Sequence, residues 1–95
     1  MSNDEAMLEI LLRLNPNTPT RTSWLCYDIY GDEARLKRNK IPYLIYKLVS
    51  MGWNVIPVKQ SGYILGRDDY AVLLRVFSSD NQENVMPEKL IKLVT

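Results

Sequence analysis

The 95-residue sequence predicts one mainly α-helical domain with a small β-hairpin. Two patterns carry this prediction. Apolar residues recur at helical spacing in several segments, and a short run of β-forming residues folds back across the turn sequence Lys59-Gln60-Ser61-Gly62. A hydrophobic content of 46% and a charged content of 24% are typical of a globular domain with one modest core.

The first two helices precede the basic part of the chain. One is predicted from Asp4 to Leu14, with a wide apolar face and acidic residues at its positive N-terminal end. A loop over 15–19 leads to a second helix, which Thr20 or Thr22 is expected to cap and which ends at Gly31. Its buried side is expected to hold Leu25, Ile29 and either Trp24 or Cys26.

A third helix is expected to run from Pro42 to Met51 and to end at Gly52. Pro42 suits a first helical turn, whereas Ile41 before it is biased away from helical dihedral angles. The outer face of this helix has no acidic residue, so it could lie against phosphate without repulsion. Its predicted buried row is Ile41, Leu44, Ile45, Leu48 and Met51, and its outer row is Tyr43, Tyr46, Lys47 and Ser50.

The hairpin strands are predicted over Trp53–Val58 and Tyr63–Leu65, and Pro57 confines the first strand to an edge of the sheet. The turn between these strands is polar and basic. The tip of the hairpin is therefore a second candidate contact surface beside the third helix.

The C-terminal part is expected to form a helical extension. Residues 68–78 are apolar nearly all round, which fits a helix capped by Asp68 or Asp69 or a buried strand, and we prefer the helix. A short helix is predicted over 87–94. We therefore divide the chain into a domain, 1–67, and an extension, 68–95, that packs on the domain or mediates dimerisation.

Charge is strongly segregated along the chain. The segment 34–67 has no acidic residue and carries +7, whereas the remainder carries −6, which together give the net charge of +1. This pattern is typical of a nucleic-acid-binding face, although a solvated basic face without a partner has the same composition. The basic residues of this segment are Arg35, Lys37, Arg38, Lys40, Lys47, Lys59 and Arg67.

Composition excludes several function classes. With no His and a single Cys, the usual zinc sites and His-dependent nucleophilic triads are excluded, so we expect no enzyme, no metal and no cofactor. No apolar run approaches the length of a membrane span, and the acidic N-terminus is unlike a signal peptide. Cys26 cannot form an intramolecular disulfide, which fits a reducing cytoplasm as the expected location.

Three helices followed by a hairpin, with a basic third helix, is the element order of a winged helix-turn-helix. Within about 7–66, the residues that match a known pattern are Leu11-Leu12-Arg13-Leu14-Asn15-Pro16, Thr20-Arg21, Leu25, Ile29, Tyr30-Gly31, Arg35, Ile41, Leu44, Lys47-Leu48, Gly52-Trp53-Asn54-Val55-Ile56 and Gly62-Tyr63-Ile64-Leu65. Through these residues the sequence resembles the effector domains of response-regulator transcription factors, and its hairpin is also similar to the wing of the biotin repressor's N-terminal domain. Two departures are that Pro42 falls where the family's recognition helix is already under way and that no receiver domain is present, so a phosphorylation switch is not implied.

The basic segment and the resemblance together predict a sequence-specific double-stranded-DNA-binding protein that acts as a small transcriptional regulator. A helix in the major groove contacts base edges mainly through its N-terminal residues, and Asn, Lys and Arg pair well with purine edges. Arg21 suits a phosphate at the start of the second helix, and the hairpin tip could reach a flanking minor groove or its backbone. The predicted DNA-binding residues are Arg21, Arg35, Lys37, Arg38, Asn39, Lys40, Tyr43, Lys47, Lys59 and Gln60.

Structural roles compete with several of these assignments. Tyr43 and Tyr46 could close over the core edge, and Arg35 could pair with Asp32 or Glu33. Tyr63 more often packs the hairpin than contacts DNA, while Cys26 and Trp53 suit the core. Two other functions stay open: a winged-helix protein–protein module that engages polymerase or another regulator, and, less favoured, a role in RNA binding or replication initiation. A homodimer formed through 70–77 is a further expectation.

Overall fold

The computed structural model describes residues 1–78 and 86–94, and it confirms a mainly helical chain with a small antiparallel sheet of two paired strands. Residues 79–85 and 95, which belong to the predicted extension, lie outside the described residues. The elements in chain order are α1 (Asn3–Arg13), α2 (Thr22–Tyr30), a 3-10 turn (Gly31–Glu33), α3 (Ala34–Lys37), α4 (Lys40–Ser50), β1 (Val55–Val58), β2 (Gly62–Leu65), α5 (Arg67–Val76) and α6 (Glu88–Val94).

Helix α1 forms the centre of the core. The hydroxyl of Ser2 caps it by accepting a hydrogen bond from the Glu5 amide at 3.1 Å, and Asp4 and Glu5 lie in its first turn. Its apolar face packs against α2, α4 and α6, so helices from both halves of the chain share one core. The buried residues of this face are Ala6, Met7, Ile10 and Leu11.

The start of α2 differs from the prediction, and the structure decides between the two candidates for its buried side. Its N-cap is Arg21 with no side-chain capping bond, so the prediction of a Thr20 or Thr22 cap is wrong. Thr22 is already the first helical residue, and the backbone of Thr20 pairs with the hairpin instead. Of the two candidates for its buried side, Cys26 is in the core and Trp24 is half exposed.

The region before α4 is more helical than predicted. A 3-10 turn and the short α3 fill the stretch 31–37, and α4 begins at Lys40, two residues before the predicted start at Pro42. Ile41 is helical despite the proline that follows because its side chain is fully buried in the core, and that burial outweighs the pre-proline bias. Pro42 lies within the first turn, where its missing N–H leaves no acceptor unpaired.

The end of α4 is fixed by a glycine with positive φ. Gly52 has φ 100°, and its amide donates to the carbonyl of Val49 while the Trp53 amide donates to that of Leu48, both at 3.0 Å. These two bonds form a Schellman motif, which ends the helix and turns the chain into the hairpin. Trp53 is buried in the core, as expected.

The hairpin is held by the loop before α2. Strands β1 and β2 pair in register from Val55 opposite Leu65 to Val58 opposite Gly62. On the other edge of β2, Thr20 forms an antiparallel bridge with Tyr63 through two backbone bonds of 2.9 and 3.0 Å. A Cβ on Gly62 would lie 2.0 Å from the Thr20 carbonyl oxygen, so only glycine allows this approach. The hairpin therefore lies beside the start of α2.

The C-terminal helices complete the core. Residues 67–76 form a helix, as preferred, but its N-cap is Gly66 without a side-chain bond, so the prediction of an Asp68 or Asp69 cap is wrong. Asp69 instead accepts a hydrogen bond from the Asn54 amide at 2.7 Å. Leu73 of α5 and two leucines of α6, Leu90 and Leu93, are buried in the same core as α1. Within the described ranges, no helix has the length and apolar character needed to cross a membrane.

Candidate nucleic-acid interface

The outer face of α4 carries a row of one aromatic and two basic side chains. Lys40, Tyr43 and Lys47 are spaced at three and four residues, so they lie on one side of the helix. The ammonium groups of Lys40 and Lys47 lie 5.9 and 5.6 Å from the centre of the Tyr43 ring, within cation–π range. Both positive charges therefore lie beside the ring of Tyr43, which is 49% exposed.

Asn39 lies at the start of this row. It is the N-cap residue of α4, yet its side chain makes no capping hydrogen bond and is exposed to solvent. An amide that does not cap its own helix can pair with an external donor–acceptor edge. The position and chemistry of Asn39 therefore suit contact with an adenine base.

The segment between α2 and α4, which contains the 3-10 turn and α3, adds three further basic side chains. Arg35 and Arg38 are exposed and line a hollow of about 370 Å³ together with Ser23 and Tyr27 of α2. Lys37 is half-buried, and its ammonium lies 6.0 Å from the centre of the Tyr30 ring. This segment consequently presents positive charge on the path from α2 to α4.

A second hollow, of about 450 Å³, lies between the start of α2 and the hairpin tip. Arg21, Lys59 and Gln60 all border it, so the structure brings Arg21 beside two predicted residues of the hairpin tip that are distant from it in sequence. Gln60 has a positive φ of 64° in the tight turn. Because Ser23 lines both hollows, the first turn of α2 is their shared border.

The basic residues of this surface differ from the other basic residues in whether they form ion pairs. Arg13 pairs with Glu9 and Asp28, Lys89 with Asp69 and Lys92 with Glu88. All these cations lie outside 34–67. Within residues 1–78 and 86–94, Arg21 and the seven basic residues of 34–67 make no ion pair, and each is exposed or half-buried.

Arg13 is a basic residue whose charge is neutralised by two neighbouring carboxylates. Burial alone would lower the pKa of Arg13, but its hydrogen bonds to Asp28 and Glu9 outweigh that effect and raise the pKa. These carboxylates fix the guanidinium between α1 and α2. Arg13 is therefore unavailable to a ligand, in contrast to the exposed Arg21 at the start of α2.

Geometry decides several of the competing structural roles. Tyr43 and Tyr46 are 49% and 71% exposed, so neither closes over the core. Arg35 makes no ion pair with Asp32 or Glu33 in the described structure. Tyr63 is half-buried and packs against the core, as its structural role predicts.

Sequence reasoning missed three exposed apolar side chains close to the basic residues. Leu36 is 85% exposed between Arg35 and Lys37, and Tyr27 and Trp24 project from α2. The signal for Tyr27 was available, because the predicted buried side of α2 left it on the opposite face. Leu36 carried no periodic signal, since its short helix was not predicted.

Across the described residues, no group of three or more His, Cys, Asp or Glu side chains is placed to hold a metal ion. Burial raises the pKa of the Cys26 thiol, whose sulfur donates to the Ala34 carbonyl at 3.3 Å. A buried, protonated thiol of this kind is a poor nucleophile.

No protein-family model, curated protein or solved structure matches the chain.

Proposed function

We propose that this chain is a winged helix-turn-helix protein that binds double-stranded DNA sequence-specifically, as a small transcriptional regulator. The observation that carries the proposal is the set of unpaired basic side chains on α4, the preceding segment and the hairpin tip. Among the described residues, the carboxylates of Glu9, Asp28, Asp69 and Glu88 form ion pairs, and none of these pairs involves a cation of this set. Phosphate is the ligand that an extended, unneutralised basic surface fits best.

In this proposal α4 enters the major groove. The residues best placed for base edges are those of its N-terminal half and outer row, Asn39, Lys40, Tyr43 and Lys47. Asn39 has a side-chain amide free for adenine, and the two lysines can donate to guanine. The Tyr43 ring between the lysines suits contact with a thymine methyl group, because its exposed edge is apolar.

The hairpin acts as the wing and contacts the flanking backbone. Its tip carries Lys59 and Gln60 beside Arg21, and the Thr20–Tyr63 bridge holds this tip near the first turn of α2. The backbone amides at the start of α2 are not used by a side-chain cap, so they and Arg21 can together bind one phosphate. Arg35 and Arg38 would contact phosphates on the path between α2 and α4.

A selection from random duplexes tests the proposal. The protein is mixed with a pool of random 20-base-pair DNA, bound molecules are recovered by gel shift, and the pool is sequenced after several rounds. We expect a short enriched motif and retention that falls between low and moderate salt. A pool that stays random, or equal retention of single-stranded DNA, contradicts sequence-specific duplex binding.

A protein partner is the second candidate, favoured by an apolar hollow away from the basic surface. This hollow, of about 420 Å³ between α1 and α5, leaves Leu74 and Phe77 half exposed. It is lined by Leu12, Tyr70, Leu73, Leu74, Phe77 and Ser78. We propose that it contacts a second copy or another regulator, an association that moderate salt would not weaken.

Sedimentation of the intact protein at micromolar concentration tests this second candidate. A dimer that Phe77→Ser converts to a monomer supports contact through the hollow. If the protein is a monomer at all concentrations, a second copy is excluded and the partner of the hollow must be a different protein.

A further inference from the structure

A polar cluster joins the C-terminal helices to the chain between α4 and β1. It consists of Gly52, Trp53, Asn54, Asp69 and Lys89, and we call it the junction cluster. The Lys89 ammonium donates to Asp69 at 2.5 Å and to the Gly52 carbonyl at 3.1 Å, and it lies 4.6 Å from the centre of the Trp53 ring. The other Asp69 oxygen accepts the Asn54 amide at 2.7 Å. One ion pair thus holds three successive residues.

Asp69 is buried and the Lys89 side chain is 24% exposed, so the pair is largely removed from water, which argues against a role in stability alone. Asp69 is 7% exposed and is the one charged residue among the buried residues that the structure describes. A buried ion pair loses hydration, so replacement of both partners by apolar residues is often neutral or stabilising. What such a pair supplies is a fixed arrangement of the groups that it contacts, and here those groups belong to the connecting chain.

The held residues connect the two parts of the proposed DNA-binding surface. Gly52 ends α4, and the Asn54 carbonyl accepts the Gly66 amide at 2.8 Å, so Asn54 closes the base of the hairpin. A Cβ on Gly66 would lie 2.5 Å from the side-chain nitrogen of Asn54, so the two residues pack closely at this point. A shift at residues 52–54 therefore changes the direction in which β1 leaves α4.

We infer that Asp69 and Lys89 are positioning residues that set where the hairpin tip lies relative to α4. The inference rests on the proposed function, since the tip matters through the phosphate contact of Lys59. Thr20 holds the β2 edge of the hairpin, and the junction cluster holds the base of β1. The Asn15 carbonyl also accepts the Leu65 amide at 3.1 Å, so β2 is held by the loop before α2, whereas the C-terminal helices supply the polar attachment at the base of β1.

The first test measures duplex binding against salt. Lys89→Met removes the ammonium while its unbranched stem can still cover Trp53, and Lys92→Met is the matched control because it removes the same charge from an exposed site of α6. We expect Lys89→Met to weaken binding roughly threefold to tenfold and to shallow the salt slope by about one unit, with Lys92→Met unchanged. Lys89→Arg should restore most of the slope.

A double variant separates positioning from stability. If Lys89 acts through the tip, Lys59→Ala with Lys89→Met should have the salt slope of Lys59→Ala alone, because both remove the same contact. Additive losses of slope, or a Lys89→Met protein that binds like Lys92→Met, would overturn the inference. If Lys89→Met does not fold, Asp69→Asn replaces it, since an asparagine oxygen can still accept the Asn54 amide.

The second test needs no DNA, so it stands if the proposed function fails. Amide hydrogen exchange is measured for residues 54–65 and for α1 in the parent, Lys89→Met and Lys92→Met proteins. We expect Lys89→Met to accelerate exchange in the hairpin by a larger factor than in α1. Equal acceleration in both regions would mean that the pair only stabilises the whole fold. Absence of duplex binding by every protein would refute the proposed function alone.

Discussion

Thr20 and Tyr63 exchange a pair of backbone hydrogen bonds, with N···O distances of 2.9 and 3.0 Å. This bridge joins the loop before α2 to the outer edge of β2, so it brings Arg21 beside the hairpin tip. The bridge therefore brings the basic side chains of Arg21 and Lys59, from two distant segments of the chain, to one hollow.

Gly62→Ala should destabilise the fold by about 2 kcal/mol or more. The new Cβ would lie 2.0 Å from the Thr20 carbonyl oxygen, and φ of 114° is strained for alanine. Gly31→Ala is the matched control, because Gly31 also has positive φ but nothing within 4 Å of an added Cβ. Urea unfolding measures both, and an equal loss in the two variants would contradict the importance of the bridge.

Lys47→Ala should weaken binding to a selected operator and relax its base preference by roughly 1–3 kcal/mol at one position. The free energy of unfolding should change by less than about 0.5 kcal/mol, because the ammonium makes no ion pair in the described structure. Lys92→Ala removes an equivalent charge from an exposed site of α6 and serves as the control. Equal operator affinity for these two variants would assign Lys47 to an ordinary solvated face.

Leu90→Ala should cost about 2–5 kcal/mol of unfolding free energy, because Leu90 is fully buried against α1. Val94→Ala, at an exposed position of the same helix, should cost far less. Chemical unfolding of both proteins tests whether α6 belongs to the core. If Leu90→Ala lowers the free energy of unfolding no more than Val94→Ala does, α6 is not part of the core that stabilises residues 1–67.

Stability should fall as pH rises above about 9. Burial raises the pKa of Cys26 above its ordinary value of 9.0, and burial together with the nearby Cys26 raises that of Tyr30 above 10.0. Both groups bind their protons more tightly in the folded state. The stability they contribute is therefore complete below their unfolded pKa values and is lost as pH rises through the folded ones.

Urea unfolding between pH 8 and 11 measures this dependence in the parent, Cys26→Ala and Tyr30→Phe proteins. In each variant, the free energy of unfolding should fall less steeply with pH than in the parent. Three superimposable pH profiles would exclude these two groups as its cause.

Local patterns predicted much of the fold. The apolar rows of α1 and α4 and the turn 59–62 gave the helices and the hairpin, because periodicity and turn chemistry are properties of neighbouring residues. The start of α4 was misplaced because the pre-proline bias against a helical Ile41 was given more weight than the predicted burial of its side chain. The C-cap at Gly52 was predicted, whereas the Asp69 cap was not realised because its carboxylate contacts Asn54.

The candidate site was predictable in composition but not in arrangement. The absence of acidic residues over 34–67 pointed to the basic surface, and the spacing of Lys40, Tyr43 and Lys47 put them on one helix face. The approach of Arg21 to Lys59 depends on the Thr20–Tyr63 bridge, and the link from Lys89 to Gly52 depends on how α6 packs. Such contacts join distant residues, so no local pattern specifies them.

The salt dependence of duplex binding tests the central claim most directly. Affinity for a duplex carrying the selected motif is measured by fluorescence anisotropy from about 50 to 300 mM monovalent salt. If several unpaired cations contact phosphate, the slope of log affinity against log salt should be roughly −3 to −6. Absence of binding at the lowest salt concentration, or a slope near zero, would contradict the account.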